Sequence, residues 1–260
     1  MKHKLEITIL LIALFFIAQL IGLFVANKFI KELPYGIEKP ELDERTSYIP
    51  TFIAIIILTF FIYVLLKYKL YFLWKIWFFL AVIFALSISF SSFIPEVIAF
   101  ILAVILAIFK VFKPNVFIHN FTELFVYGAL AAIFVNVFNI FSISILLILI
   151  SIYDYISVYK TKHMVELAKS QTKAKIFAGF FIPYKKEIAV LGGGDIGFPL
   201  LFTSVVLKSF KLYSLIIVLF TTIALALLLF YSKKKKFYPA MPVLTLGCFV
   251  GYLILQLLLL

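Results

Sequence analysis

Leu191-Gly192-Gly193-Gly194-Asp195-Ile196-Gly197-Phe198-Pro199 sets a single carboxylate inside an otherwise apolar segment. A second carboxylate, Asp154 in Ile152-Tyr153-Asp154-Tyr155, sits in the apolar segment before it. Ionisable groups at membrane depth are costly and default to functional candidates. Two on neighbouring helices can share a proton, so that one activates water as base while the other serves as acid.

Membrane depth is the right frame because of composition. The 260 residues are 65% hydrophobic and only 14% charged, with a mean hydropathy of +1.18. Soluble domains are nearer half apolar. The expectation is therefore an all-α, polytopic membrane helical bundle. The net charge of +12 would suggest nucleic acid in a soluble chain. Here the lysines lie between apolar runs, where topology and lipid headgroups account for them and no nucleic-acid partner is expected. The single cysteine, Cys248, excludes an intrachain disulfide or a cysteine-cluster metal site and reads as a buried inert thiol. No cofactor is expected, and no His/Cys/carboxylate group has metal spacing.

Outward from the two aspartates, the apolar runs define about nine spans. They cover roughly 7–26, 49–66, 74–92, 95–109, 119–137, 140–159, 187–207, 212–231 and 239–260. The first reads as a retained helix, since Val25-Ala26-Asn27 is a poor cleavage site. No internal repeat is visible, which weakens a repeat-built transporter fold. With the N-terminus in the cytoplasm, eighteen Lys and Arg fall inside and six outside. Helix count and charge bias then agree on a cytoplasmic N-terminus, an outside C-terminus and a multi-pass protein of the cell membrane. One membrane-embedded domain, 1–260, is expected, with 1–138 as scaffold and 139–260 as the catalytic part.

Spans six and seven then become antiparallel neighbours joined on the cytoplasmic side by a basic loop, 160–186. Asp154 precedes Lys160 by six residues and Asp195 follows Lys186 by nine. At about 1.5 Å per residue both lie roughly 10 Å below the basic edge. Gly192, Gly193 and Gly194 weaken the helix before Asp195 and allow close backbone approach. Pro199 cannot donate to the Asp195 carbonyl, which loosens the backbone there. A peptide substrate must be unwound before cleavage, and irregular backbone at membrane depth is tolerated where it lines protein or water. In Tyr238-Pro239-Ala240-Met241-Pro242 two prolines open the last span, so this segment can stay extended and offer its backbone to a substrate strand.

Other polar residues carry blander readings. His163 and Glu166 read as a solvated helix end, Glu96 and Glu123 as solvated or snorkelling residues near span ends, and Lys233 to Lys236 as a topology anchor. The 32 Phe residues read as packing and lipid contact.

Tyr153-Asp154, Gly192-Gly193-Gly194-Asp195 and Pro239-Ala240-Met241 together resemble the YD, GxGD and PAL motifs of the presenilin and signal peptide peptidase family of intramembrane proteases. Met241 departs from the family leucine by a near-isosteric swap. The run Ile156 to Met164 is similar to the microbial, mostly archaeal, branch. The resemblance covers helices six to nine well, and helices one to five only in number and polarity. It implies an aspartic endopeptidase that hydrolyses peptide bonds within or near transmembrane segments of single-pass proteins. It implies Asp154 and Asp195 as catalytic residues. Tyr153, Gly192, Gly193, Gly194, Pro239, Ala240 and Met241 would shape the site and engage substrate. Implied partners are transmembrane peptides and lipids; homo-oligomers are allowed, and accessory subunits are not required. The orientation matches presenilin and favours substrates with their N-termini outside. The short polar six–seven loop implies an uncut chain. A proton- or cation-coupled transporter would use the same aspartates but leaves the ordered trio of motifs unexplained. A prepilin-peptidase-type protease accounts for neither the Pro239-Ala240-Met241 segment nor the helix-six match, and a scaffold needs no paired aspartates.

Overall fold

A computed structural model describes residues 4–160, 177–184, 187–232 and 238–259. Nine α-helices occur among the described residues: α1 (Leu5–Lys28), α2 (Tyr48–Lys67), α3 (Tyr71–Phe90), α4 (Glu96–Phe112), α5 (Val116–Phe134), α6 (Ile140–Tyr159), α7 (Gly193–Phe210), α8 (Leu215–Tyr231) and α9 (Met241–Leu259). A two-stranded antiparallel hairpin, β1 (Gly179–Tyr184) and β2 (Glu187–Gly192), precedes α7. Seven helical stretches are long and apolar enough to cross a bilayer. One of them, Gly193–Tyr231, runs through α7, the 3₁₀ turn Lys211–Ser214 and α8, and α4 is one turn shorter than α3. The chain is thus a mostly helical integral membrane protein.

Local chemistry sets several boundaries. Asn115 accepts a hydrogen bond from the Phe117 N–H and starts α5 just after Pro114. Asn139 and Ser142 form a reciprocal capping box at the start of α6. At α9, Ala240 accepts from the N–H groups of both Val243 and Leu244, and Pro242 occupies the first turn, where it forfeits no helical bond.

In lipid, helices associate through close packing, which small residues permit. A Cβ on Gly128 of α5 would lie 3.2 Å from the Gly22 Cα of α1. One on Gly251 of α9 would lie 2.8 Å from the Ile217 Cα of α8, and Gly247 one turn earlier is equally crowded. Helices α1 and α5, with α7 and the hairpin, enclose one core that includes Phe15, Tyr127, Phe180 and Ile196. Helices α6, α7 and α9 enclose a second around Leu147, Phe202 and Cys248. Cys248 is fully buried and unpaired. By contrast α2 turns most of its surface outward and packs chiefly on α6 and α3.

Three expectations require correction. Residues 187–192 are not the opening of a helix but a strand, and α7 starts at Gly193. Gly192 is extended (φ −66°, ψ 149°) and caps the helix. The basic loop correspondingly contains β1. A strand rises about 3.3 Å per residue, so counting helical rise from Lys186 misplaces Asp195. Glu123 is neither solvated nor snorkelling: it is 1% exposed and pairs with Lys110 of α4, itself 2% exposed. Lys110 falls just past the 95–109 run, where the charge count places it in a loop on the cytoplasmic side, yet its charge is neutralised inside the protein. Glu96 is exposed, as expected. His163, Glu166 and Lys233 to Lys236 lie outside the described residues.

Candidate active site

Asp154 lies in the last third of α6, about one and a half turns from its end. Its Oδ2 accepts a hydrogen bond from the Met241 N–H at 3.1 Å, and the Ala240 N–H is also within hydrogen-bonding reach. The first N–H groups of a helix have no intrahelical partner, so Asp154 serves the start of α9. One turn earlier, Ser151 Oγ and Thr245 Oγ1 are 2.8 Å apart and tie α6 to α9 again. Tyr153 faces Phe52 of α2 in an edge-on ring contact, centroids 6.4 Å apart. Both Tyr153 and Asp154 are half-buried.

Asp195 occupies the first turn of α7 and is half-buried. The Gly192 N–H reaches its carboxylate, and Asp154 lies close enough to act on it electrostatically. The structure thus brings Asp154, Asp195, the glycine run and Ala240-Met241 together. Both carboxylates sit at helix N-termini: Asp195 within α7, and Asp154 across from α9. Each glycine of the run has its own surroundings. A Cβ at Gly192 would meet Asp195 Oδ2 at 3.1 Å, and one at Gly193 would meet the Tyr127 hydroxyl at 2.9 Å. Gly194 is exposed and borders Phe198.

Residues that the sequence motifs do not assign to the site surround this turn. Gln19 of α1, fully buried, donates from Nε2 to the Ile196 carbonyl at 2.9 Å, next to Asp195. One polar side chain in the middle of the α1 run was the available signal. Tyr127 of α5 lies against Gly193 and Gly197. On the hairpin, α5 occupies the outer edge of β1. Asn120 donates to the Phe181 carbonyl and accepts from the Phe181 N–H. His119 Nε2–H bonds the Gly179 carbonyl, and Glu123 Oε2 accepts from the Gly179 N–H. His119, Asn120 and Glu123 share one face of α5, a polar stripe in a span that hydropathy alone treats as uniform. Among the described residues, no group of three His, Cys, Asp or Glu could hold a metal ion.

Two acids at helix starts inside a membrane bundle define the class, a helical membrane protein with a polar site in its interior. The comparisons narrow it. The family model for signal-peptide peptidase, presenilin aspartyl protease matches residues 12–196, which include Asp154 and Asp195 and stop short of the Pro239 segment. The chain belongs to that family and is an intramembrane aspartyl protease. Two crystal structures of a presenilin family intramembrane aspartate protease, in C222 and P2 space groups, share the fold. Each has a TM-score of 0.69 and 18% identity. The first covers 96% of this chain and 99% of its own, the second 95% and 96%. No curated protein sequence matches. The transporter reading finds no support in these comparisons.

Proposed function

We propose that Asp154 and Asp195 are the catalytic pair and that they hydrolyse peptide bonds within or near the transmembrane segments of single-pass membrane proteins. One observation carries this reading. Asp154 is bonded to the Met241 N–H and within electrostatic reach of Asp195, so the three motif segments of the family converge on one point. In this reading the pair holds one proton between its two carboxylates. The ionised one takes a proton from a water, whose oxygen attacks the scissile carbonyl carbon. The protonated one gives its proton to the carbonyl oxygen. Collapse of the tetrahedral intermediate expels the amine, which leaves with a proton from the pair. No step needs a metal or cofactor. Tyr153, Gly192 to Gly194 and Pro239 to Met241 shape the cleft.

The substrate must present an extended backbone. The outer edge of β1 is taken by α5, which leaves the β2 edge, with half-exposed Ile188 and Val190, for an added strand. All nine helices are proposed to cross the cell membrane, with the N-terminus in the cytoplasm, the C-terminus outside and substrate N-termini outside. Helices α1 to α5 serve mainly as scaffold, and the chain works uncut, without accessory subunits. The test is cleavage of a model single-pass substrate by the purified, detergent-solubilised protein. Wild type is expected to cleave and to be blocked by an aspartyl-protease transition-state analogue. Asp154→Asn and Asp195→Asn are each expected to be inactive yet folded, and near-normal turnover in either would refute the pair.

A further inference from the structure

Among the described residues Lys110 and Glu123 form a fully buried ion pair, and hydrogen bonds from Glu123 lead to the turn that carries Asp195. Lys110 Nζ lies 2.5 Å from Glu123 Oε1 and 2.9 Å from Thr122 Oγ1. The other carboxylate oxygen, Oε2, accepts from the Tyr127 hydroxyl and from the Gly179 N–H. Tyr127, 3% exposed, spreads its ring along Gly193 and Gly197, which lie one turn apart on α7. Gly179 opens β1 and follows Ala178, whose carbonyl accepts from the Gly193 N–H at 3.0 Å. Two routes therefore lead from Glu123 to Gly193, one through a side chain and one through the strand. Asp195 stands two residues further on.

A buried ion pair is weak support for stability, because desolvating both charges offsets their attraction. Its better-attested use is to select one arrangement among similar ones. Here both carboxylate oxygens of Glu123 are engaged: Oε1 by Lys110 of α4, and Oε2 by the Gly179 N–H of the hairpin and the Tyr127 hydroxyl, whose ring borders the α7 junction. We propose that Lys110, Glu123 and Tyr127 are positioning residues that fix the strand-to-helix junction and so hold Asp195 at the angle catalysis needs. The assignment rests on Asp195 being a member of the catalytic pair. None of the three is given a role in proton transfer or substrate contact.

The experiment uses the full chain in detergent and two readouts. The variants are Tyr127→Phe, which keeps the ring but loses the hydroxyl, Gly193→Ala, and the double substitution. Tyr127→Phe is expected to lower kcat roughly 10- to 100-fold with KM within about two-fold, since a small misplacement of a catalytic group costs about that much and leaves ground-state binding intact. Hydrogen exchange should rise at residues 178–197 and stay unchanged in α8. Gly193→Ala, whose Cβ would crowd the hydroxyl, should cost less in the Tyr127→Phe background, by at least about three-fold. Unchanged exchange at 178–197, a loss carried by KM alone, or strict additivity overturns the proposal. If the wild type cleaves nothing, the catalytic-pair reading fails, while the exchange data still decide whether these residues hold the junction.

Discussion

Replacing Lys110 by methionine gives the sharpest test of the interior read from this structure. The substitution nearly conserves side-chain length and apolar stem, so packing changes little. What it removes is the 2.5 Å partner of Glu123 Oε1, the 2.9 Å bond to Thr122 and a cation 5.8 Å from the Phe78 ring. Glu123 is then left ionisable, 1% exposed and without its countercharge. Stranding one member of a buried pair costs about 3–5 kcal/mol. We expect the low end, about 3 kcal/mol, because in the unfolded-in-membrane state Lys110, in the last turn of α4, can snorkel to water. The double variant Lys110→Met/Glu123→Gln removes both charges and keeps an acceptor oxygen for Tyr127 and Gly179. It should recover to within about 1 kcal/mol of wild type. Trp74 and Trp77 are the only tryptophans. Trp74 is 2% exposed, and its ring lies 5.7 Å from that of Phe78 in the core shared with α4. Their fluorescence during denaturation in mixed micelles therefore reads this region directly. Lys110→Met matching wild type within about 0.5 kcal/mol, or a double variant no better than the single, would refute the assignment of a buried, charged pair.

Gly179 has φ +136°, and a Cβ there would collide with the Leu191 carbonyl oxygen. Gly179→Ala should therefore cost about 1–3 kcal/mol of local stability, seen as faster amide exchange across β1 and β2; unchanged exchange would contradict the hairpin geometry. The pH–rate profile of cleavage should be bell-shaped, since the proposed mechanism needs one aspartate ionised and one protonated; a flat profile between pH 4 and pH 9, a window of about five units around the ordinary working range, would count against a shared proton. Lys39 lies in the loop after α1, with Nζ 2.5 Å from the Phe29 and Ile30 carbonyls. Burial, and then the Lys208 charge, holds its pKa below the usual 10.5. The unfolded chain thus binds the extra proton between those two values, so stability should rise with pH as it climbs through the lowered value towards 10.5. A thermal melt series in which Lys39→Met shows the same rise would exclude Lys39 as its source.

The sequence made α1 to α6 legible because each is an apolar run closed by charge, proline or a capping asparagine. It made the two aspartates legible because carboxylates are rare in such runs. The hairpin was hidden for a physical reason. Phe180-Phe181-Ile182 and Ile188-Ala189-Val190-Leu191 are short apolar runs, and periodicity cannot separate a short strand from a buried helix turn. Gly192, Gly193 and Gly194 do not weaken a helix already under way; they are the boundary at which the helix begins. Lys110 and Glu123 were hidden differently. They lie thirteen residues apart on either side of Pro114, and only the antiparallel return of α5 along α4 brings them together. A positive-inside count treats such a lysine as a loop charge, and nothing local contradicts it.

The position of Asp195 owes less to its own helix than a sequence reading suggests. Pro199 lies inside α7 and gives the Asp195 carbonyl no N–H, so the first turn lacks one of the bonds that would make it rigid. Neighbours take over that role from three sides. Ala178 accepts from the Gly193 N–H, Gln19 donates to the Ile196 carbonyl, and the Tyr127 ring rests on Gly193 and Gly197. Asp154 presents the mirror case: it lies within a regular helix, and its carboxylate is fixed by the start of α9 instead. Breaks in the backbone at the Gly192 run and at Pro239 thus do more than loosen helices. They create the free N–H groups and bare surfaces by which distant segments take hold of each acid. Precise placement of the pair is then a property of tertiary contacts from α1, α5 and α9, and substitutions in those helices should alter turnover without touching either aspartate.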